Sequence, residues 1–168
     1  MSKKTVAALL FCLFNAACTS NQYLVRPDAE ISASPLQETV FVTNPEKTRQ
    51  LSILEHSGLY KLADSSRAGN QLTLLRLDRD MTCGMPFIAV IFTLGLLPAS
   101  VETDHHFSYR LQEGANVHTY IHDVRVKTRI SVWEWFAKPF TDSEDEILAQ
   151  GLALSPRRVT TDSDFIDE

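Results

Sequence analysis

Residues 102–127 read ETDHHFSYRLQEGANVHTYIHDVRVK, two alternating runs separated by the turn-forming EGAN at 113–116. Alternation of apolar and polar residues with a period of two is typical of β-strands, and a short connection that contains Gly joins antiparallel neighbours. The sequence therefore predicts a β-hairpin with strands over 102–112 and 117–127.

The register of this hairpin follows from its connection. If Gln112 pairs with Val117, the following pairs are Leu111 with His118, Tyr109 with Tyr120, Phe107 with His122 and His106 with Asp123. Residues directly opposite each other point to the same face of a sheet. One face of the hairpin is thus predicted to be aromatic throughout, and His106 meets Asp123 on the other.

Further elements on both sides of the hairpin complete the predicted fold. Turn and capping signals place strands at 36–43, 59–64, 71–78 and 129–136, and helices at 45–56 and 143–154. We expect an α+β fold in which an antiparallel sheet of about five or six strands packs against two or three helices. In the last strand, Trp133 and Trp135 share one face.

Both predicted helices have recognisable ends. Asn44 and Pro45 form a helix start, since Asn caps free N–H groups and Pro fits the first turn, and Gly58 is a typical stop. Ser143 and Glu146 have the spacing of a capping box. These signals fix the ends of the helices more firmly than those of the strands.

The run MPFIAVIFTLGLLP, residues 85–98, has no charged residue. Eleven helical residues rise about 16 Å, roughly half the hydrocarbon thickness of a bilayer, so the run is too short to span one. We predict that 86–97 is a core helix or strand buried against the sheet. The alternative is a segment that leans into the outer membrane or a partner protein.

Residues 1–17 have the order of a secretory signal peptide, with Lys3-Lys4 followed by an apolar run and then by small residues. The next residue is Cys18, and Ala16-Ala17-Cys18 resembles the processing site of bacterial lipoproteins. That resemblance implies cleavage before Cys18 and attachment of diacylglycerol, with palmitate among its acyl chains, to the sulfur. An ordinary signal peptide that happens to hold a cysteine is the alternative.

Two neighbouring positions bear on this prediction. Thr19 and Ser20 follow the cysteine in place of an Asp retention signal, which implies sorting to the periplasmic face of the outer membrane. Asn15 departs from the aliphatic residue usual three positions before the cysteine. The chain is thus predicted to divide into a signal peptide (1–17), a lipidated Cys18 with a flexible tether (18–35), a globular domain (36–155) and an acidic, disordered tail (156–168).

Charge and cysteine content narrow the classes of partner. The net charge of −5 becomes −7 when Lys3 and Lys4 leave with the signal, which excludes a basic nucleic-acid footprint. Cys12 leaves as well and Cys18 carries lipid, so Cys83 remains as a lone thiol. We expect Cys83 to behave as a small buried hydrophobic residue, with a reactive or metal-binding thiol as the alternative.

Four of the five histidines lie in the hairpin, at His105, His106, His118 and His122. On a strand His118 and His122 are about 13 Å apart, too far to share a metal. His105 and His122 are diagonal neighbours about 7 Å apart, close enough to bind zinc or copper only with a further ligand such as Cys83 or Asp104. Histidines on a half-exposed sheet face are the simpler interpretation.

No catalytic signature accompanies these histidines. The sequence has no G-x-S-x-G elbow, H-E-x-x-H helix, phosphate-binding glycine loop or C-x-x-C pair. The acidic run at 144–146 suits a helix N-terminus without catalysis. We therefore expect a protein that is not an enzyme and that binds no cofactor.

Short motifs in four places are similar to a family of uncharacterised proteobacterial envelope lipoproteins. They are Ala-Ala-Cys at 16–18, ILEHSGLY at 53–60, FTLGLLP at 92–98 and VWEWFAKPF at 132–140. The resemblance implies location and fold, and it carries no activity.

The expected function is that of a lipid-anchored module of the cell envelope that binds or scaffolds without catalysis. Its partners would be the membrane, through the lipid anchor, and another envelope protein, lipid or glycan. The predicted contact surface consists of Phe107, Tyr109, Tyr120, Trp133 and Trp135. A metal-binding or small enzymatic module that uses the four hairpin histidines is the alternative.

Overall fold

The computed structural model describes residues 19–25, 38–64, 69–81, 88, 92–93 and 95–160. Within these ranges seven strands form one sheet: β1 (Ser20–Leu24), β2 (Thr39–Val42), β3 (Lys61–Leu62), β4 (Asn70–Met81), β5 (Ala99–Glu113), β6 (Asn116–Ile130) and β7 (Arg158–Thr160). The helices of the same ranges are α1 (Thr48–Ser57), α2 (Glu134–Ala137) and α3 (Glu144–Leu154), with a 3₁₀ turn at Lys138–Phe140. The α+β class is confirmed.

The central hairpin has the predicted register. β5 and β6 pair antiparallel from Ala99 with Ile130 to Glu113 with Asn116, and Tyr109 lies opposite Tyr120 as expected. Each strand has 15 residues and is therefore longer than predicted. The pairing follows the alternation because a slip of one residue would turn every core side chain to the other face.

The sheet is mixed rather than antiparallel, and it has one strand more than the upper expectation. Its order is β1-β6-β5-β4-β2-β3, with β7 also on β6. β2 runs parallel to both β3 and β4. The reason is α1, which lies between β2 and β3 in the chain and returns it to the same end of the sheet, as a parallel connection requires.

Residues expected to be unstructured supply two strands of the sheet. The predicted tether is wrong for 20–24, which form β1 on 126–130 of β6. The predicted tail is wrong for 158–160, which form β7 on 119–121. Both cover the edge of β6 that β5 leaves open, where unpaired backbone groups would otherwise invite association.

The strand predicted at 129–136 is also wrong, because β6 ends at Ile130 and the chain turns into α2. Asn21 Nδ2 donates to the backbone oxygen of Glu134 at 2.7 Å and to its Oε2 at 2.9 Å. The Tyr23 hydroxyl donates to the same carboxylate at 2.7 Å. Two residues of β1 thereby hold the Glu134 carboxylate inside the fold, where it is buried.

One predicted helix end differs from expectation, and two agree. α1 begins at Thr48 rather than 45, because the side chain of Asn44 pairs with the backbone of Leu74 at 2.9 and 2.7 Å instead of capping the helix. Gly58 ends α1 with φ 64°. The capping box of α3 is confirmed, with the Ser143 hydroxyl accepting from the Glu146 N–H.

The core lies between one face of the sheet and helices α1 and α3. Its members are mostly aliphatic and include Ile53, Leu54, Leu72, Leu111, Val126, Leu148 and Leu152. Gly151 allows α3 to approach β6, since a Cβ at this position would lie 2.2 Å from Cγ1 of Val124. Among the residues that the structure describes, no helix is both long and apolar enough to cross a membrane.

Candidate functional site

Large apolar side chains are exposed in two segments beyond the strand ends. We call this surface the aromatic patch and define it as Phe92, Leu96, Leu97, Trp133, Trp135, Phe136 and Phe140. Each of these side chains is at least 56% exposed, and Phe140 reaches 88%. The expectation that 86–97 is buried is wrong for the apolar side chains described in this run. These are Ile88, Phe92, Leu96 and Leu97, and all four are exposed. The other apolar residues of that run lie outside the described part of the chain.

Hydrogen bonds join the two segments of the patch. The Val132 N–H donates to the Gly95 carbonyl at 3.0 Å, and the Trp133 indole N–H donates to the Leu96 carbonyl at 3.0 Å. The Trp135 and Phe136 rings meet edge to face with centroids 5.0 Å apart. The Val132 N–H and the Trp133 indole N–H are thus satisfied locally, and the rings of the patch remain exposed.

The patch lies at the end of the hairpin opposite its turn. Ser20 and Ala99 both pair with Ile130, so three strand ends meet side by side. We call this place the hairpin base. Residues 92–97 enter β5 here and 133–140 follow β6 here.

The hairpin base is also where the N-terminal segment joins the fold. Cys18 is two residues before Ser20 in the sequence. Since consecutive Cα atoms are 3.8 Å apart, the Cα of Cys18 is within about 8 Å of that of Ser20. The predicted lipid attachment point therefore lies two residues before the strand that begins at the hairpin base.

Charged residues are few within the two segments of the patch, and the exposed Asp142 follows the second of them. Residues 84–101 contain no charged side chain. Between 131 and 141 the charged residues are Glu134, which is buried, and Lys138, which is exposed between Phe136 and Phe140. The guanidinium of Arg129 lies 5.6 Å from the ring centroid of Tyr23 close by.

The predicted contact surface is only partly at the surface. Phe107 and Tyr109 are 3% and 0% exposed, so the prediction is wrong for them. Strand alternation turns these rings toward the core that α1 and α3 complete. Tyr120 is half-buried, whereas Trp133 and Trp135 are exposed.

The same alternation places His106 on the face opposite to His105, His118 and His122. His105 and His122 are buried, His106 is half-buried on the opposite face, and His118 is exposed near the turn. Within the described ranges, no three His, Cys, Asp or Glu side chains are grouped so that they could hold a metal ion. The predicted metal set is therefore not brought together, and Cys83, its proposed additional ligand, lies outside the described residues.

His122 belongs to a buried chain of hydrogen bonds. The Arg157 guanidinium donates to the Tyr60 hydroxyl at 2.9 Å, and the Tyr60 and Tyr109 hydroxyls are 3.0 Å apart. The Tyr109 hydroxyl lies 3.2 Å from His122 Nε2, and His122 Nδ1 lies 2.8 Å from the Ser155 hydroxyl. This chain was not predictable from the sequence because its members come from four separate stretches.

One arrangement of protons satisfies every link. Arg157 can only donate; in this arrangement Tyr60 then donates to Tyr109, and Tyr109 donates to Nε2 of His122. Nδ1–H then donates to the Ser155 oxygen, whose own proton goes to the Leu152 carbonyl at 3.2 Å. The imidazole is neutral in this arrangement.

Burial agrees with that protonation state. Desolvation, reinforced by the charge of Arg157, lowers the pKa of His122 to about 4. Burial likewise raises the pKa of the Tyr60 and Tyr109 hydroxyls above the ordinary value. The chain is thus a network of neutral side chains, and the Arg157 cation donates a hydrogen bond to one end of it.

The outward face of the hairpin carries ion pairs instead. His106 Nδ1 lies 2.7 Å from the Asp123 carboxylate, and the Arg125 guanidinium lies 2.8 Å from Asp104. Partial burial lowers the pKa of His106, but hydrogen bonds to Asp123 and Asp80 outweigh it and raise the pKa above its usual value. These pairs are typical of a sheet face in water.

A cleft of about 360 Å³ opens beside 123–125 of β6, where β1 and α3 end. Its polar lining consists mainly of Asp104, His106, Asp123 and Arg125. These four groups already pair with one another across the strands. The charges that the cleft presents to a ligand are thus largely neutralised by one another.

No family model matches the sequence, and no curated protein matches it. A minor lipoprotein from Acinetobacter baumannii aligns in structure with a TM-score of 0.37 and 12% identity, over 73% of this chain and 97% of that one. A dodecamer of a PelC point variant from Paraburkholderia phytofirmans aligns with a TM-score of 0.28 and 8% identity, over 81% and 92% respectively. Alignments at this level do not support a transfer of fold or function.

Proposed function

We propose that the protein is a lipoprotein of the bacterial cell envelope, held on the periplasmic face of the outer membrane by acyl chains on Cys18, and that it acts by binding rather than by catalysis. The order of Lys3-Lys4, an apolar run and Ala-Ala-Cys supports the anchor. The domain that follows would then bind its partners at the membrane surface.

The observation that carries this proposal is the position of β1. The strand begins at Ser20 and pairs with β6 through five consecutive residues. A cysteine lipidated at position 18 would therefore be attached almost directly to the central sheet. The domain would sit on the leaflet that holds its lipid, in contrast to the long reach that a flexible tether over 18–35 would give.

The burial of the chain supports a role without catalysis. Ser155, His122 and Tyr109 resemble a nucleophile, a base and an orienting group in spacing. A nucleophilic serine, however, must be open to a substrate. Here Ser155 is 4% exposed and His122 is fully buried, so both side chains are enclosed in the fold.

The anchor is tested by expressing the full chain in a Gram-negative host and separating membranes from soluble protein. We expect the wild type in the outer-membrane fraction, with an N-terminal peptide that begins at Cys18 and carries diacylglycerol by mass spectrometry. Cys18→Ser should appear in the soluble fraction, and the matched control Cys83→Ser should remain with the membrane. An unmodified Cys18, or a Cys18→Ser protein still bound to the membrane, would refute the proposal.

A further inference from the structure

We infer that the aromatic patch is a second membrane contact, which lies in the interfacial layer of the leaflet that holds the lipid on Cys18. This inference rests on the proposed function, since it takes the anchor as given. It adds a fixed orientation, in which the hairpin base faces lipid and the hairpin turn faces the periplasm.

The size of the patch is the first reason. Single exposed apolar side chains are ordinary on soluble proteins, but contiguous groups of large ones mark sites of contact. The patch consists of seven such side chains from two hydrogen-bonded segments, with both tryptophans of the chain among them. Exposure of such apolar surface to water is unfavourable in free energy, and contact with an apolar phase removes this penalty.

Location is the reason to choose a bilayer as the occupant. Cys18 is within about 8 Å of Ser20 at the hairpin base. Ser20 pairs with Ile130, and Trp133 follows three residues later. Acyl chains that enter the leaflet from Cys18 would bring this surface to the same depth, whereas a protein partner would have to fit between the patch and the membrane.

The residue types of the patch suit the interfacial layer. Tryptophan is enriched where headgroups meet acyl chains, because its ring is apolar and its N–H is polar. The exposed Lys138 lies between Phe136 and Phe140 in the sequence, and an amine at such a position reaches outward to phosphate groups. The carboxylate of Glu134 in this segment is withdrawn into the fold, whereas that of Asp142 is exposed just beyond it.

The contacts of Glu134 also make the anchor strand and the patch one unit. Asn21 and Tyr23 lie on β1 and hold Glu134 at the start of α2 by three hydrogen bonds of 2.7 to 2.9 Å. The Thr141 hydroxyl adds a bond of 3.4 Å to Asn21 at the far end of the segment. Any tilt of β1 at the membrane would therefore tilt the patch with it.

The patch would determine orientation rather than retention. A lipid with two or more acyl chains suffices to keep a protein on a membrane. We therefore expect variants of the patch to remain bound to the membrane and to differ from the wild type in the contact between their tryptophans and the acyl chains. Cell fractionation alone does not reveal such a difference.

The sequence offers a built-in probe, because its two tryptophans, Trp133 and Trp135, both lie in the patch. The purified acylated protein is reconstituted into vesicles of phosphatidylethanolamine and phosphatidylglycerol, with or without phosphatidylcholine brominated near the top of its acyl chains. We expect bromine to reduce tryptophan emission at least about twofold, as for side chains at the interface. Flotation of the vesicles reports binding in the same sample.

Two variants provide the comparison. The double variant Phe136→Asp/Phe140→Asp places carboxylates in the patch, and we expect it to lose most of the quenching while it still floats with the vesicles. The control Val117→Asp changes a side chain that is 50% exposed at the opposite end of the hairpin, and it should be quenched like the wild type. Urea unfolding checks that both variants are folded, as the exposure of the replaced side chains predicts.

The outcomes separate the inference from the proposed function. A protein that does not float contradicts the anchor itself. A protein that floats but is not quenched by bromine overturns the inference and leaves the anchor standing. Tryptophans that are shielded from acrylamide without lipid, in a protein that elutes as an oligomer, also overturn it, because a second copy then covers the patch.

Discussion

The molecule contains two groups of aromatic side chains with opposite surroundings. Tyr60, Phe107 and Tyr109 lie in the core, where the two hydroxyls take part in a continuous hydrogen-bonded chain. Trp133, Trp135, Phe136 and Phe140 lie at the hairpin base, and their rings are exposed.

Backbone geometry accounts for the difference. In β5 and β6 alternation turns every second side chain toward α1 and α3, so an aromatic ring at such a position is buried. Beyond Ile130 the chain leaves the sheet, and Glu134 rather than a tryptophan turns inward to meet Asn21. A polar contact to β1 thus directs the neighbouring rings outward.

The largest difference between the two groups is expected when one ring is removed from each. Phe107→Ala deletes a ring that is 3% exposed, and we expect a loss of about 3–5 kcal/mol in the free energy of unfolding. Phe140→Ala deletes a ring that is 88% exposed and should cost less than about 0.5 kcal/mol. Urea unfolding of both proteins measures the two values, and similar losses would show that the two groups do not differ.

Acid should destabilise the buried group through His122. The pKa of this side chain is about 4 in the fold and about 6.5 in an unfolded chain. Between these values the unfolded state binds more protons, so stability falls as pH decreases from about 6.5 to 4, by about 3 kcal/mol in total.

Unfolding by urea at several pH values tests this loss, with His122→Gln as the comparison. The variant should lose less stability than the wild type between pH 7 and 4. The pKa of His106 is raised instead, so the stability that this side chain contributes is lost as pH increases. His106→Gln should therefore lose as much stability as the wild type between pH 7 and 4. Equal acid sensitivity in wild type and His122→Gln would contradict the account of the buried chain.

The hydroxyl of Tyr109 offers a finer test of the chain. Tyr109→Phe keeps the ring but leaves the Tyr60 hydroxyl and His122 Nε2 without their shared partner. We expect a destabilisation of about 1–3 kcal/mol in urea unfolding. Tyr120→Phe is the control, since the structure gives that hydroxyl no hydrogen bond within the described residues, and a comparable loss there would argue against the chain.

The smallest expected effect concerns the helix that covers the buried group. Ser143→Ala removes the side chain that caps α3, which should cost about 1 kcal/mol. Thermal unfolding monitored by circular dichroism measures the change. An unchanged melting temperature in Ser143→Ala would show that the capping box contributes little.

Local signals in the sequence account for part of this structure. The hairpin register was predictable because alternation and turn length act between near neighbours, and the capping box spans four residues. β1 and β7 were not predictable, because strands of five and three residues show no period and form only against the open edge of β6.

The two aromatic groups show the same limit of prediction from local sequence signals. Trp133 and Trp135 were predicted to lie on a contact surface, but their exposure depends on Glu134 and Asn21, which are 113 positions apart. Tyr109 was placed on the correct face of the hairpin, yet alternation alone does not say which face the helices cover. Long-range polar contacts therefore separate the core group from the patch.

The most direct test of the membrane orientation compares two introduced cysteines. Ala115→Cys lies at the exposed hairpin turn and Phe140→Cys lies in the patch. Both are made in a Cys83→Ser background, and the acylated proteins on vesicles are treated with a maleimide that does not enter bilayers. Ala115→Cys should react fully and Phe140→Cys should be protected on vesicles but reactive after Cys18→Ser releases the protein into water. Equal reaction at both positions on vesicles would contradict a patch that faces the lipid.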